Sequence, residues 1–380
     1  MSAGRPAGGA PAPEGAGDSR PTWSGLLPVD KPSGMTSHDV VERVRRRLGM
    51  RAVGHLGTLD PGASGLLVLV LGAATRCALV WQGGRKTYEG TARFGVVTDT
   101  QDTDGRVLER SDVRPTEADV RAAAGSLTGD LEQVPPMVSA IKHGGERLHA
   151  LARRGVTVER AARPVRVDAW RWLAFTADEA TFEVDCSGGT YVRTLVHDLG
   201  AMLGCGAALA ALRRTRSEPF SLLQACSLAA LDAAEPAHLL AQQGVPLDTA
   251  LEVLPGLELA EPAAAAIGRG QAPRVEAGTA PLGAGPRSIV FRDGGGHALA
   301  LGELRREADG VRARPSVVFP WAVVTGGRAS AQRPSLPDSS GAQRPSLPDS
   351  PSAQRPSLPN SPSAQRPSLP NSPSAQREGS

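Results

Sequence analysis

The sequence predicts an α+β protein in which a mixed, largely antiparallel β-sheet is flanked by helices and followed by a small β-barrel-like domain. Segments with strand-like character, such as 65–72 and 86–95, are interspersed with segments of helical periodicity, such as 117–127. Beyond residue 233, short apolar runs are separated by glycines, as in small barrels. Alternation of this kind with antiparallel neighbours is typical of the α+β class.

The first helix is predicted directly after a folded region that opens at Gly25. Thr36 and Asp39 have the spacing of a capping box, and Gly49 is suited to end the helix. One face is apolar at helical spacing, with Val40, Val41, Val44 and Leu48. The opposite face and the turn beyond it carry an arginine cluster: Arg43, Arg45, Arg46, Arg47 and Arg51. Such a cluster is either a solvated surface or part of the footprint of a polyanion.

The rest of the first domain is predicted in chain order. Strands at 65–72 and 86–95 precede an acidic turn at 99–104, a helix at 117–127, strands at 165–175 and 181–186, and a helix at 191–203. Between them, residues 134–163 are irregular and strongly basic, so we expect an insertion that projects from the core.

The chain of 380 residues has room for two ordinary domains and two flanking segments. We expect a disordered leader at 1–24, a first domain at 25–232, and a second domain at 233–325 with short strands at 268–271, 288–292, 298–303 and 311–318. Residues 326–380 repeat Ala-Gln-Arg-Pro-Ser-Leu-Pro with a period of eleven. This Pro- and Ser-rich tail contains too few apolar residues to form a core and is expected to be disordered.

The distribution of charge, the spacing of the cysteines and the length of the apolar runs indicate what kind of protein this is. The tail holds six arginines against three acidic residues, which accounts for the whole net charge of +3, so any basic surface of the folded part must be local. The four cysteines form no Cys-x-x-Cys pair and have no metal-site spacing, which predicts reduced core thiols and no metal. Because no apolar run is long enough for a membrane span, we expect a cytoplasmic protein, and we expect a monomer.

Asp60 is the residue whose position most needs explanation. It lies in a Gly-rich loop, before Pro61, where the backbone is pushed out of the helical region. The apolar strand 65–72 follows directly, so the carboxylate stands near a core and should require a cationic partner. A carboxylate that only caps its own turn is the ordinary alternative.

Five ordered segments, taken together, decide between these interpretations. The chain resembles the bacterial tRNA pseudouridine synthases of the TruB type, which isomerise uridine 55 in the T-loop of tRNA. The resemblance covers residues 25–230 and rests on segments 31–37, 54–65, 86–88, 135–142 and 186–195. It implies the pseudouridine-synthase fold, tRNA as the partner, a PUA-like C-terminal domain and no cofactor.

The resemblance also implies roles for individual residues. Asp60 matches the catalytic aspartate, Tyr88 the tyrosine that lies against the flipped base, and Arg193 the arginine that pairs with the aspartate. His55 matches a histidine that helps to hold the extruded nucleotide. The insertion matches an RNA-clamping arm, so phosphate contacts are expected from Lys142, Arg153 and Arg154. Lys31, outside the insertion, is a further candidate for RNA binding.

Several chemical and functional alternatives remain open at this level. A carboxylate at position 60 can attack the base, attack the sugar or remove a ribose proton. A protein of the same fold can also remodel tRNA without catalysis. A small-molecule hydrolase would explain Asp60 alone but leaves the arginine clusters and the basic insertion unexplained.

Overall fold

The computed structural model describes residues 23–139, 141–276 and 288–322, together with positions 278, 282, 285, 324–325 and 328–329. The strands of these residues are β1 (Gly25–Lys31), β2 (Val53–His55), β3 (Ser64–Leu71), β4 (Lys86–Phe94), β5 (Val96–Thr98), β6 (Val107–Arg110), β7 (Gly129–Gln133), β8 (Lys142–His143), β9 (Glu146–Arg147), β10 (Arg163–Phe175), β11 (Glu179–Cys186), β12 (Ala207–Ser217), β13 (Phe220–Ser221), β14 (Cys226–Ser227), β15 (Val245–Pro246), β16 (Gly256–Glu258), β17 (Arg274–Val275), β18 (Ile289–Arg292), β19 (Ala298–Glu307), β20 (Gly310–Val318), β21 (Val324–Thr325) and β22 (Arg328–Ala329). The helices are α1 (Ser37–Leu48), α2 (Leu79–Gln82), α3 (Glu117–Ser126), α4 (Leu148–Arg153), α5 (Val192–Met202), α6 (Leu228–Ala233), α7 (Pro236–Gln243), α8 (Leu247–Ala250) and α9 (Glu261–Gly268). Among the described residues, no helix has both the length and the hydropathy that a membrane crossing requires.

A large mixed sheet forms the centre of the protein. Its strands follow the order β14-β1-β3-β12-β4-β11-β10-β7. In addition, β2 pairs with β3, β13 with β12 and β15 with β1. The pairs β1–β14 and β3–β12 are parallel, and the other pairs are antiparallel. The predicted fold class, a mixed and largely antiparallel sheet flanked by helices, is confirmed.

The first helix has the ends that the sequence predicts. Thr36 and Asp39 form a reciprocal capping box, and Gly49 closes the helix in the left-handed conformation with φ 63°. Most of its arginines do not form a free basic surface. Arg43 pairs with Asp232. Arg45 donates to the carbonyl oxygen of Val53, and Arg47 donates to the carbonyl oxygens of Leu231 and Ala234. These arginines join α1 to its neighbours, α6 among them.

Strand β12 lies at the centre of the sheet, but the sequence analysis assigned no strand to residues 207–217. Its first five residues, Ala-Ala-Leu-Ala-Ala, favour a helix by local propensity. The strand is formed because β3 and β4 supply hydrogen-bonding partners on both of its edges. Tertiary pairing has therefore overridden local preference at the position where the sheet changes from parallel to antiparallel pairing.

The C-terminal part forms a second, five-stranded sheet, β16-β18-β19-β20-β17, which curls into a half-barrel as the prediction of a small β-barrel-like domain requires. The strand predicted at 268–271 is wrong, because α9 ends at Gly268 and Gly270 follows with φ 75°. The alanine run before Gly268 favours a helix. The boundary at 232/233 stays a prediction, although β15 pairs with β1 in the first sheet.

The predicted boundaries of the disordered leader and of the disordered tail both differ from those in the structure. Trp23 and Ser24, assigned to the leader, are buried, and the Ser24 hydroxyl accepts a hydrogen bond from the Ala73 amide at 2.9 Å. Arg328–Ala329, assigned to the tail, pairs with Val324–Thr325. The rest of the leader and of the repeat tail lies outside the described residues.

One apolar cluster joins the half-barrel to the large sheet. It combines buried residues of β1 and β3 with buried residues of β18, β19 and β20 and the segment that follows β20. Phe319 is fully buried there and stacks on Trp321, with ring centroids 5.1 Å apart. The half-barrel and the large sheet therefore share a core, and we expect them to unfold together.

Replacing Phe319 with Ala should lower the free energy of unfolding by about 3–5 kcal/mol, because it removes a large side chain from a filled core. The measurement is denaturant unfolding followed by circular dichroism and by calorimetry. Leu223→Ala is the matched control, since Leu223 is 98% exposed and should change stability by less than about 0.5 kcal/mol. Two separate transitions, with only one shifted by Phe319→Ala, would contradict the shared core.

Candidate active site

The loop that carries Asp60 runs from β2 to β3 and is held by the first residue of α1 and by the segment that precedes it. The Ser37 hydroxyl donates to the carbonyl oxygen of Leu59 at 3.0 Å and accepts from the Leu59 amide at 2.8 Å. The Gly34 amide donates to the Pro61 carbonyl oxygen at 2.9 Å. Leu59 and Pro61 are thus fixed on either side of Asp60, and two sequence segments far apart in the chain form one frame.

The Asp60 side chain opens into a cavity of about 230 Å³. Its lining comes from the loop, from β4, from the start of α5 and from β12; it includes Asp60, Lys86, Tyr88, Tyr191, Arg193 and Arg214. A second cavity of about 340 Å³ shares Asp60, Arg193, Leu209 and Leu212 with the first. The carboxylate is therefore accessible from two adjoining spaces.

Arg193, at the second position of α5, faces Asp60. Its Nη2 lies 3.3 Å from Oδ2 and 3.5 Å from Oδ1 of Asp60. The same nitrogen donates to the Val138 carbonyl oxygen at 2.6 Å, and Nη1 donates to the Thr100 carbonyl oxygen at 3.4 Å. Only 3% of the Arg193 side chain is exposed. A buried guanidinium with these partners can balance a carboxylate that stands at the edge of a core.

Burial raises the pKa of Asp60 above the usual range of a carboxyl. The charges of Arg193 and Lys31 lower the pKa, and the charge of Asp102 raises it. Burial is the largest influence, so the net direction is upward despite the arginine. Because 44% of the side-chain surface is still open to the cavities, water reaches the carboxylate and moderates this effect.

Arg214 is a residue of the site that the sequence analysis did not identify. It follows Arg213 directly in a basic stretch of the sequence, yet it is 1% exposed and lines the cavity. Its Nε donates to the Leu66 carbonyl oxygen at 2.7 Å, and Nη2 donates to the Gly57 carbonyl oxygen at 3.1 Å. Recognition of β12 as a central strand would have revealed it, because alternate side chains of such a strand point to opposite faces.

Gly65, the second residue of β3, allows this strand to approach β12 closely. It pairs with Arg214 across β3 and β12, and it has φ 99°. A Cβ atom at position 65 would lie 2.3 Å from the Arg214 carbonyl oxygen. Only glycine permits this approach of the two backbones, which brings the Asp60 loop against β12.

Tyr88 and His55 lie near the Arg214 guanidinium. Tyr88 is 7% exposed, lines the cavity from β4 and is hydrogen-bonded to Arg214; burial raises the pKa of its phenol. The Nδ1 of His55 accepts from the Gly57 amide at 3.3 Å. Burial, and then the charge of Arg214, lower the pKa of His55. The imidazole is therefore neutral at pH 7, and Arg214 supplies the positive charge on this side of the site.

Two described protein families match consecutive parts of the chain. Residues 45–192 match the family described as "TruB family pseudouridylate synthase (N terminal domain)", and residues 193–252 match "tRNA pseudouridylate synthase B C-terminal domain". A relative from Opitutus terrae named tRNA pseudouridine synthase B is 50% identical over 215 residues, which cover 56% of this chain and 89% of the relative. The chain belongs to the TruB family of pseudouridylate synthases.

Further similarities extend over more of this TruB family member. A relative from Aromatoleum aromaticum, also named tRNA pseudouridine synthase B, is 44% identical over 279 residues, covering 73% of this chain and 88% of the relative. A chain in the crystal structure of a Cbf5-Nop10-Gar1 complex is similar with a TM-score of 0.58 and 24% identity, covering 78% of this chain and 85% of the other. The latter similarity concerns the fold.

Lys31, predicted to bind RNA, is fully buried beneath the Asp60 loop. Its ammonium donates to three carbonyl oxygens, at 2.9 Å to Pro32, 2.6 Å to Met35 and 3.4 Å to Pro61. Burial lowers its pKa to about 8. A direct phosphate contact would require the ammonium to leave all three carbonyls, whereas its observed contacts hold the Asp60 loop.

The three arm candidates lie in the segment between β7 and β10. Lys142 is in β8, and Arg153 is the last residue of α4. Arg154 follows α4 with its guanidinium exposed, and it donates to both carboxylate oxygens of Glu146, at 2.5 and 2.8 Å. The RNA-binding role of these three residues stays a prediction.

Lys31→Met provides a test of the buried ammonium by its pH dependence. The folded pKa of about 8 lies below the ordinary lysine value, so the unfolded chain binds more protons between pH 8 and 10.5. The free energy of unfolding of the wild type should therefore rise across this interval relative to Lys31→Met. The measurement is urea unfolding of both proteins at several pH values, because shared groups cancel in the difference. A difference that does not change with pH would show that Lys31 is not held in this buried environment.

Proposed function

We propose that this protein isomerises uridine to pseudouridine at position 55 in the T-loop of tRNA, by flipping the base into the cavity and using Asp60 as the essential residue. The observation that carries the proposal is the juxtaposition of Asp60, Arg193 and Tyr88 in one cavity of a TruB family member. We expect the reaction to take place in the cytoplasm and to be carried out by a monomer.

The reaction needs little beyond a positioned carboxylate. The N1–C1′ bond breaks, the uracil turns, and C5 bonds to C1′; the C5 proton is lost to solvent and N1 gains one. No atom is added and no oxidation state changes, so the proposal includes no cofactor and no metal. Asp60 serves as a nucleophile toward the base or the sugar, or as a base toward a ribose proton.

Each residue around the cavity has a physical task in this proposal. Arg193 holds Asp60 in place and favours its ionised form. Tyr88 presents an aromatic surface to the extruded uracil. A base within a folded loop must leave its stack before it can react, and an enclosed cavity with a stacking surface compensates part of that cost.

Recognition of tRNA is proposed to involve the arm, residues 134–163, and His55. Lys142, Arg153 and Arg154 would contact phosphates, which set affinity and salt dependence without reading sequence. Arginines of the half-barrel are paired with its own acidic residues: Arg312 and Arg314 with Glu307, and Arg274 with Asp309. This surface is nearly neutral, so we expect its contribution to binding to depend on shape more than on charge.

Replacing Asp60 with Asn should abolish pseudouridine formation and leave tRNA affinity nearly unchanged, because the amide keeps the shape of the side chain and removes its negative charge. The measurement is release of tritium from C5-labelled uridine in an unmodified tRNA transcript, alongside filter binding. Turnover by the variant would remove Asp60 from its role. Binding without release by the wild type would instead favour a protein that remodels tRNA.

The arm is tested through the ion pair between Glu146 and Arg154. If Arg154 contacts a phosphate, Glu146→Gln should strengthen tRNA binding and steepen the slope of log affinity against log salt by up to about one. Arg154→Gln should weaken binding and flatten the slope. Both slopes come from filter binding at four salt concentrations. Equal slopes for the two variants and the wild type would place Arg154 away from the RNA.

A further inference from the structure

Gln133 lies at the point where the arm leaves the sheet. It is the last residue of β7 and pairs with Arg163 of β10, so the chain departs and returns at this pair. Its side chain is 4% exposed. A buried carboxamide requires hydrogen-bond partners, and those that Gln133 finds lie 58 residues further along the chain.

The carboxamide of Gln133 makes a two-point contact with the backbone of Tyr191. Its Oε1 accepts from the Tyr191 amide at 2.8 Å, and its Nε2 donates to the Tyr191 carbonyl oxygen at 3.1 Å. Tyr191 is the residue that precedes α5, and its own side chain makes no capping hydrogen bond. Gln133 therefore fixes both peptide groups of the residue from which α5 starts.

Arg193 follows Tyr191 by two residues, so the start of α5 determines the direction of its side chain. Its shortest hydrogen bond is not to Asp60 but to the Val138 carbonyl oxygen, at 2.6 Å against 3.3 Å to the carboxylate. Val138 lies in the first residues of the arm, and the neighbouring Ser139 is hydrogen-bonded to the Tyr191 hydroxyl. One guanidinium is thus shared between the arm and the carboxylate.

We propose that Gln133 is a positioning residue, which fixes the start of α5 so that Arg193 can bridge the base of the arm and Asp60. The inference rests on the proposed function. If Val138 moved away, Nη2 of Arg193 would be free to bond more closely to the Asp60 carboxylate. If the Gln133 contact were lost, the backbone from which the Arg193 side chain projects would no longer be fixed. The state of the arm is thereby linked to the strength of the Asp60–Arg193 pair.

The proposal predicts a change in pH dependence as well as in rate. The charged and titratable groups that act on Asp60 are Arg193 from α5, Lys31 from the end of β1 and Asp102 from the loop after β5; Asp60 in turn acts on Tyr88 and Tyr191. Arg193 lowers the pKa of Asp60. A less well-placed Arg193 should raise it, so the pH at which activity is half-maximal should move upward.

The experiment measures single-turnover pseudouridine formation from pH 5 to 9, with excess enzyme over a C5-tritiated tRNA transcript. Gln133→Met removes both hydrogen bonds at similar volume, and Gln133→Asn keeps the carboxamide but shortens its reach. Glu132→Gln is the matched control, because residue 132 is the exposed neighbour on the same strand. Circular dichroism and filter binding establish that each variant is folded and binds tRNA.

Both Gln133 variants should react up to about tenfold more slowly at the acidic end of the range, approach the wild-type rate at high pH, and bind tRNA as the wild type does, because a weaker Asp60–Arg193 pair lowers the ionised fraction of Asp60 most at low pH. Glu132→Gln should match the wild type throughout. A loss of rate that is equal at every pH, a loss of tRNA affinity alone, or no loss would overturn the proposal. An inactive wild type would reject the proposed function itself. If Gln133→Met fails to fold, Gln133→Asn decides the question by the same criteria.

Discussion

The position of Asp60 depends on buried cations and a buried hydroxyl that satisfy the backbone around it. Lys31 and Arg214 are almost fully enclosed, and each donates to carbonyl oxygens of the loop or of its flanking strands. Burying a charge costs free energy unless the charge finds such partners. A different conformation of the loop would leave these buried cations without them, so the contacts fix the conformation of the loop. Arg193 pairs with the Asp60 carboxylate itself. Lys31, Ser37 and Arg214 instead hold the backbone of its loop.

The arginines of this protein differ in whether they are already paired within the protein. Arginines of α1, of the half-barrel and of β10 are largely committed to acidic side chains or to carbonyl oxygens. The site keeps its cations inside, where Arg193 and Arg214 are enclosed. The protein therefore concentrates its electrostatic effect on the cavity.

The arrangement also connects parts of the chain that have separate tasks. The first residues of the arm touch Arg193 and Tyr191, and the half-barrel shares an apolar core with strands that flank the Asp60 loop. The contacts around the Asp60 carboxylate therefore overlap with those that hold the arm and the half-barrel to the large sheet. A change at the base of the arm should alter the Asp60–Arg193 pair, because the Arg193 guanidinium contacts both the arm and the carboxylate.

The sequence by itself determined the elements whose signals are local. The capping box and terminal glycine of α1, the apolar run of β3 and the alternation of β4 predicted these elements, because caps and periodicity depend on neighbours in the chain. The segment around Asp60 was also recognisable from sequence, although its catalytic role remains a prediction. Only the tertiary structure decided that Ala-rich residues 207–217 form the central strand β12, that Lys31 lies beneath the loop, and that Arg214 faces the cavity. Those outcomes depend on partners far away in the chain, which no local pattern encodes.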